Sequence, residues 1–235
     1  MPRKNKGRKN RKRSVPRPLS LGPTYPQSLI ARHKYVEIVD LTGAYALTGS
    51  IPAAAFTYFG ANTLFDPNRE GTGHKAMFYD QMAEIYSNYV VLGSRIKVKF
   101  INASLEPVFI NLNRRNTIMN SSHTTDELEE TQPTNKMTIL PQATSARPFK
   151  VLTSGYAPHK QFGITKSQVR NNSDLVMATA QGENVPPSGS EVYYNLAIQQ
   201  IHSTLGGNTD AVVKCFVEIE YTALWSNRKD VTDQS

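Results

Sequence analysis

Ser94-Arg95-Ile96-Lys97-Val98-Lys99-Phe100 and Val213-Lys214-Cys215-Phe216-Val217-Glu218-Ile219-Glu220-Tyr221 both carry an apolar residue at every second position. Side chains of an extended chain point to opposite faces in turn, so this period marks strands with one face in a core and the other outside it. In the first stretch Ile96, Val98 and Phe100 form the core set, while Arg95, Lys97 and Lys99 form a cationic ridge. In the second, the inward set is Val213, Cys215, Val217, Ile219 and Tyr221, which makes Cys215 a small core hydrophobe. The same reading places strands at Tyr35–Leu41, Ala44–Thr48, Phe56–Ala61, Val108–Asn113, Met137–Leu140, Arg147–Gly155 and Val192–Ile201. Turn clusters such as Asp66-Pro67-Asn68, Pro186-Pro187-Ser188-Gly189 and Gly206-Gly207-Asn208 separate them.

Only two stretches have a helical pattern. Phe78, Met82, Ile85, Tyr86 and Tyr89 recur as one apolar stripe of a short helix. Thr124 and Glu127 fit a capping box, but the acidic run Asp126–Glu130 then lacks apolar positions and reads as an exposed loop with a turn of helix. Eight or nine strands, long turn-rich connections and little helix predict an antiparallel sandwich or barrel. Repeated βα units and fixed-period repeats are both lacking, which argues against a doubly wound sheet, a propeller or a solenoid.

The chain has 235 residues and a formal charge of +8, and this charge divides unevenly. Residues 1–34 hold eleven basic side chains: Arg3, Lys4, Lys6, Arg8, Lys9, Arg11, Lys12, Arg13, Arg17, Arg32 and Lys34. They contain no acid. From residue 35 onward 16 basic side chains face 19 acidic ones, a net −3. Two regions are expected: a basic arm, 1–34, and a globular shell of strands, 35–235. The arm has too little apolar area to offset chain entropy, so disorder is expected for it in the free protein. Each Lys or Arg that meets a phosphate releases counterions and gives affinity independent of base sequence. No aromatic residue precedes Tyr25, so the arm itself cannot stack on bases. Arg3 through Arg17 therefore read as a phosphate-neutralising arm, and the same run fits a nuclear-import patch.

Other classes fall away on similar grounds. A single cysteine rules out a disulfide scaffold, and no apolar run approaches the ~18 residues of a membrane-spanning helix. The basic N-terminus is followed by no apolar region of the secretory kind. No nucleophile elbow, phosphate-binding Gly-Lys loop, paired-Cys spacing or His-Glu-x-x-His motif is present. No catalytic residue, metal site or cofactor is expected, and the five histidines (33, 74, 123, 159, 202) lack ligand spacing.

Asn62-Thr63-Leu64-Phe65-Asp66-Pro67, Gly71-Thr72-Gly73-His74, Phe78-Tyr79-Asp80-Gln81-Met82 and Tyr89 through Ile96 resemble a block in capsid proteins of the circovirus-like viruses, whose genomes are circular, Rep-encoding single-stranded DNA. The ending Val217-Glu218-Ile219-Glu220-Tyr221 with Asn227-Arg228-Lys229 is similar to that group's C-terminal end. This arm is shorter and richer in Lys and Asn than the Arg runs of circoviruses proper. The resemblance implies an all-β, eight-stranded antiparallel jelly roll, strands B to I, with a disordered basic arm. Val90–Phe100 would be D, Val192–Ile201 H and Val212–Leu224 I, with the Phe78–Tyr86 helix in the C–D connection. It further implies a T=1 shell of sixty identical subunits around a single-stranded DNA genome, a virion component assembled in the host nucleus with import receptors as partners, and no membrane.

Several residues carry alternative readings. The ridge Arg95, Lys97, Lys99 and the pair Arg114-Arg115 fit either DNA or a subunit contact. Asp66 and Asp80 could share a divalent cation at a subunit joint. Trp225 and Tyr193-Tyr194 suit stacking surfaces or core packing. His74 suits a loop at a subunit contact. The alternative for the whole chain is a non-viral basic-armed β-barrel that binds nucleic acid as a monomer or dimer, with a nucleic-acid enzyme a weaker third.

Overall fold

Two long strands form the spine of one sheet. β3 (Tyr86–Asn102) and β9 (Ala211–Arg228) pair antiparallel, with Ile96 opposite Ile219 and Lys97 opposite Glu218. In the computed structural model, which describes residues 25–43, 55–69, 73–119, 136–180, 186–187, 189–201 and 211–229, β1 (Ser28–Gly43) flanks β9 and β6 (Phe149–Tyr156) flanks β3. The order is β1-β9-β3-β6, with the three-residue β7 (Val176–Ala178) also paired to β3. The second sheet runs β2 (Ala55–Gly60)-β8 (Tyr193–Gln200)-β4 (Val108–Arg115)-β5 (Lys136–Leu140). Leaving β7 aside, the strands pair as nested couples: β1 with β9, β2 with β8, β3 with β6, β4 with β5. This is the winding of a jelly roll.

The core lies between the sheets and is rich in rings. Trp225, Tyr35, Tyr86, Tyr89, Tyr194, Tyr221, Phe59 and Phe100 are fully buried. A buried phenol needs a partner for its hydroxyl, and several bonds that satisfy this join separate strands. The Tyr221 hydroxyl donates to the Gly60 carbonyl at 2.7 Å. Ser94 turns inward, donates to the Ala61 carbonyl at 2.5 Å and meets the Tyr194 hydroxyl at 2.9 Å. The two sheets are thus tied by polar contacts as well as by apolar area, each large side chain contributing about 1.5–3 kcal/mol on burial.

The structure departs from the sequence reading at several places. β1 starts at Ser28 rather than Tyr35, so Arg32 and Lys34 belong to the sheet and not to the arm. Alternation in Arg32 through Tyr35 puts His33 and Tyr35 in the core, and this burial draws the strand back beyond the expected boundary. The helix α1 spans only Tyr79–Ile85, and Tyr86 and Tyr89 are strand residues of β3. Their rings pack on Trp225 from β9, at 6.4 and 5.1 Å between centroids, which an extended backbone achieves and a continued helix would not. Phe78 precedes α1 with φ 64° and is exposed.

Two short helices, α2 (Pro158–Gln161) and α3 (Lys166–Asn171), lie outside the two stretches with a helical pattern in the sequence. Thr165 and Gln168 form a capping box that is legible in Thr165-Lys166-Ser167-Gln168, while the short length hides any apolar stripe. Val169 and Leu175 from this segment cover Val90 on the outward side of β3. Residues 1–24, the Ala44–Thr48 strand, Asp126–Glu130 and its capping box, and the Gly206-Gly207-Asn208 turn lie outside the described residues. No helix among the described residues is long and apolar enough to cross a membrane.

Candidate nucleic-acid interface

Strand register decides what surrounds the cationic ridge. Arg95, Lys97 and Lys99 all point outward from the first sheet and are exposed. Arg95 stands opposite Glu220, Lys97 opposite Glu218 and Lys99 opposite Phe216. On the other side of β9, Lys34 pairs with Glu220 in register, Val36 with Glu218, and Ile38 with Phe216. On the far side of β3, Lys99 faces Val151 and Ile101 faces Phe149. The face therefore grades from charged rungs near Arg95 to apolar and aromatic rungs near Lys99.

The carboxylates on this face are partly committed. Glu218 accepts from Lys34 at 2.8 Å, a contact that lowers its pKa, with Lys97 adding a smaller effect in the same direction. Asp40 pairs with Lys214 at 3.0 Å. Such exposed pairs contribute little to stability, but they cancel charge locally. Lys99 places its ammonium 4.9 Å from the centre of the Phe149 ring. Two hollows lie along the face. One of about 560 Å³ includes Arg32, Lys34, Arg95 and Glu220 in its wall. The other, about 470 Å³, is lined by Lys97, Lys99, Phe149 and Phe216 among others.

Arg114 and Arg115 lie away from this surface. They end β4 in the second sheet, opposite Tyr194 and Tyr193, and both are half-buried. The Arg114 guanidinium donates to the Gly155 carbonyl of β6 and so links the two sheets. Trp225 and Tyr194 are core residues and Tyr193 is buried with its ring at right angles to that of Tyr58, so none of the three presents a stacking surface. Exposed rings stand at both ends of the row of cations, Phe149 and Phe216 beside Lys99, and Phe78 in the wall of the hollow that holds Arg32, Lys34 and Arg95. Phe216 could have been found from its outward parity within 213–221; its closeness to Lys99 could not, because that requires the pairing of β9 with β3.

His33 carries the best-defined polar contact in the core. The Trp225 indole N–H donates to its Nε2 at 2.9 Å, so Nε2 must lack a proton, and Nδ1–H can then donate to the Met77 carbonyl at 2.9 Å. Burial lowers its pKa, with the Met77 contact opposing. The role is structural: it joins β1, β9 and the entry to α1.

Asp66 and Asp80 border a common hollow of about 690 Å³ but do not act together. Asp80 receives Lys75 at 2.6 Å, and Lys75 also lies 5.1 Å from the Phe65 ring. Asp66 lies 3.9 Å from Arg69; burial pushes its carboxyl up, Arg69 draws it down and Glu37 raises it. Glu37 itself accepts from Tyr35 Oη and, at 3.1 Å, from Asn68 Nδ2. No group of three or more metal-ligating side chains occurs among the described residues. His74 rests on the Tyr35 ring at 4.6 Å and contacts the Val36 carbonyl at 3.1 Å, so it binds its loop to β1. Cys215 is buried and its thiol pKa is pushed well up by burial.

Searches of known proteins returned structural likenesses only. No protein-family model and no curated protein matches the chain. Among solved structures, the chain is similar to that of the semi-empty virus-like particle of giant freshwater prawn (Macrobrachium rosenbergii) nodavirus, at 9% identity over 88% of this chain and 98% of that one, with a TM-score of 0.49. It is similar to mud crab tombus-like virus at 9% identity over 97% and 96%, with a TM-score of 0.46. Desmodium yellow mottle tymovirus gives 10% identity over the full length of both chains, with a TM-score of 0.37. The functional reading therefore rests on the chain's own residues.

Proposed function

We propose that this chain is a viral capsid protein of the circovirus-like kind, sixty copies of which close a T=1 shell around circular single-stranded DNA. The observation that carries it is the joining of a single jelly roll to an arm with nine Lys and Arg in its first 17 residues and no acid. A shell protein must meet like copies and a polyanion, and it needs no catalytic constellation; fold alone would not decide this. The finer assignment to circovirus-like viruses rests on the block at 62–96. Because Arg32 and Lys34 sit in β1, the arm proper brings nine cations per copy. Sixty copies would balance the phosphates of roughly 500 nucleotides, leaving the rest of a longer genome to small cations or body contacts. The same basic run would serve nuclear import, and assembly would take place in the host nucleus.

The test is particle size together with nucleic-acid content. Sixty copies of a 26.2 kDa chain make a closed particle of about 1.6 MDa, seen as uniform rings in negative stain and with strong absorbance at 260 nm. A native mass of one or two chains at low salt would refute the shell and favour the basic-armed monomeric binder. Deleting residues 1–24 leaves β1 whole and should yield empty or unstable particles. Deletion through residue 34 would instead cut into β1 and remove His33. If the shorter truncation protected DNA from nuclease as well as the full chain does, the arm would not be the packaging element.

A further inference from the structure

The outward face of the first sheet has the composition of a single-strand binding platform, and its position continues the arm. Among the described residues, six cations point outward from it (Arg32, Lys34, Arg95, Lys97, Lys99, Lys214) against three carboxylates, Asp40, Glu218 and Glu220. Two of those carboxylates already hold Lys214 and Lys34. The surplus of positive charge lies along Arg32, Arg95, Lys97 and Lys99.

Beside Lys97 and Lys99 stand two partly exposed rings, Phe216 at 38% and Phe149 at 45% exposure, the second with the Lys99 ammonium over one of its faces. They lie two strands apart and two residues offset along the strands, about 12 Å by strand geometry, with Lys99 on the strand between them. Single-strand binders join a cationic track to aromatic faces in this way, because every base has a π-face and every nucleotide a phosphate.

We propose that this face is a base-stacking site for single-stranded DNA, in which Phe149 and Phe216 take bases while Lys97, Lys99, Arg95 and Arg32 hold the adjoining phosphates. The inference deepens the packaging reading and rests on it. Charge complementarity favours DNA over a second copy of the chain, since the same face on a partner would set cations against cations. The arm favours it too. It enters the fold at Ser28, on this sheet and at the Arg32–Arg95 end, and it contains no ring before Tyr25. Arm and face then divide the work: the arm neutralises phosphate, and the face reads the presence of a base.

The full-length protein is titrated with oligothymidylate and with an abasic phosphodiester chain of equal length, at low and high salt. High salt suppresses the counterion-release contribution common to both. Oligothymidylate should then bind about tenfold or more tightly than the abasic chain. The double variant F149A/F216A should lose that difference while keeping low-salt binding of both ligands. Equal binding of the two ligands by the wild type, or an undiminished difference in the variant, overturns the stacking site but leaves the packaging reading standing. Failure of either ligand to bind at low salt overturns the packaging reading itself. Unchanged DNA binding by a variant that no longer forms particles overturns the proposal in favour of a subunit contact. Should the variant not fold, photocrosslinking of iodouracil-bearing oligonucleotide to the wild type decides: adducts on the peptides holding Phe149 or Phe216 are expected, and adducts confined to other peptides refute the site.

Discussion

Replacing Trp225 with Phe removes one N–H from the centre of the molecule while keeping an aromatic ring among Tyr79, Tyr86 and Tyr89. The loss strands His33 Nε2, which receives that N–H at 2.9 Å and is buried. A buried acceptor left without its donor costs about 1–3 kcal/mol, and the space vacated by the smaller ring adds about 1 kcal/mol. The expected destabilisation is therefore about 2–4 kcal/mol near neutral pH, a large share of the 5–15 kcal/mol typical of a domain. Urea unfolding followed by far-UV circular dichroism measures it, at protein concentrations where the midpoint no longer depends on concentration. The pH dependence has a definite sign. His33 has its pKa lowered by folding, so the unfolded chain binds the extra proton more readily. The wild type should keep this stability above the ordinary histidine value of about 6.5 and lose it as pH falls below that toward the lower folded value. Protonation would also set an Nε2–H against the indole N–H, a conflict absent from the Trp225→Phe variant, so the gap between the two proteins should narrow at about pH 5.5. A loss below ~0.5 kcal/mol near neutrality, or a gap that widens in acid, would refute the assigned tautomer and its partner.

Other substitutions probe separate regions of the fold. Gly73→Ala would bring a Cβ to 2.6 Å from the Asn68 Cβ and 2.8 Å from the Tyr35 hydroxyl, displacing the donors to Glu37; a loss of about 1–3 kcal/mol should appear as a lower Tm. Leu196→Ala on β8 opens a cavity between the sheets and should cost about 2–5 kcal/mol, read from the urea midpoint. Phe78→Gly relieves a left-handed backbone at an exposed residue and should leave stability unchanged or raise it by up to about 1 kcal/mol, visible in Tm. Cys215 should resist thiol reagents in the native protein and react fully in denaturant, since its thiol is both buried and held protonated; rapid native labelling would show that β9 opens.

The strands easiest to read were those with one wet face. Ile96, Val98 and Phe100 against Arg95, Lys97 and Lys99, and the odd-numbered set from Val213 to Tyr221, lie where alternation put them. β8 gave a weaker pattern because it is buried on both sides: Tyr194, Leu196 and Ile198 face the core, while Asn195 on the other side bonds to Asn113, Thr117 and Met119. The start of β3 carries a helical pattern in the sequence because Tyr86 and Tyr89 continue the α1 stripe by spacing alone. Their contact with Trp225, more than a hundred residues away, has no local signature. For the interface, the ridge was visible and its neighbours were not. Glu218 and Glu220 temper the ridge and Phe216 and Phe149 extend it, and each of these relations is set by cross-strand register. Arg114 shows another such relation, a half-buried cation whose bond to the Gly155 carbonyl depends on the packing of one sheet on the other.

The union of β1 with β9 also bears on mechanics. All sixteen residues of β1 are in register with β9, from Ser28 opposite Ser226 to Gly43 opposite Ala211. Tension applied through the arm along the strand would load this pairing in shear, so its perpendicular hydrogen bonds would share the force rather than break singly in succession. A polymer pulling on the arm would meet an anchor as long as the strand itself, with Tyr35 and His33 set into the core like pegs. The jelly roll is thereby suited to hold a tether under load without unravelling from its end.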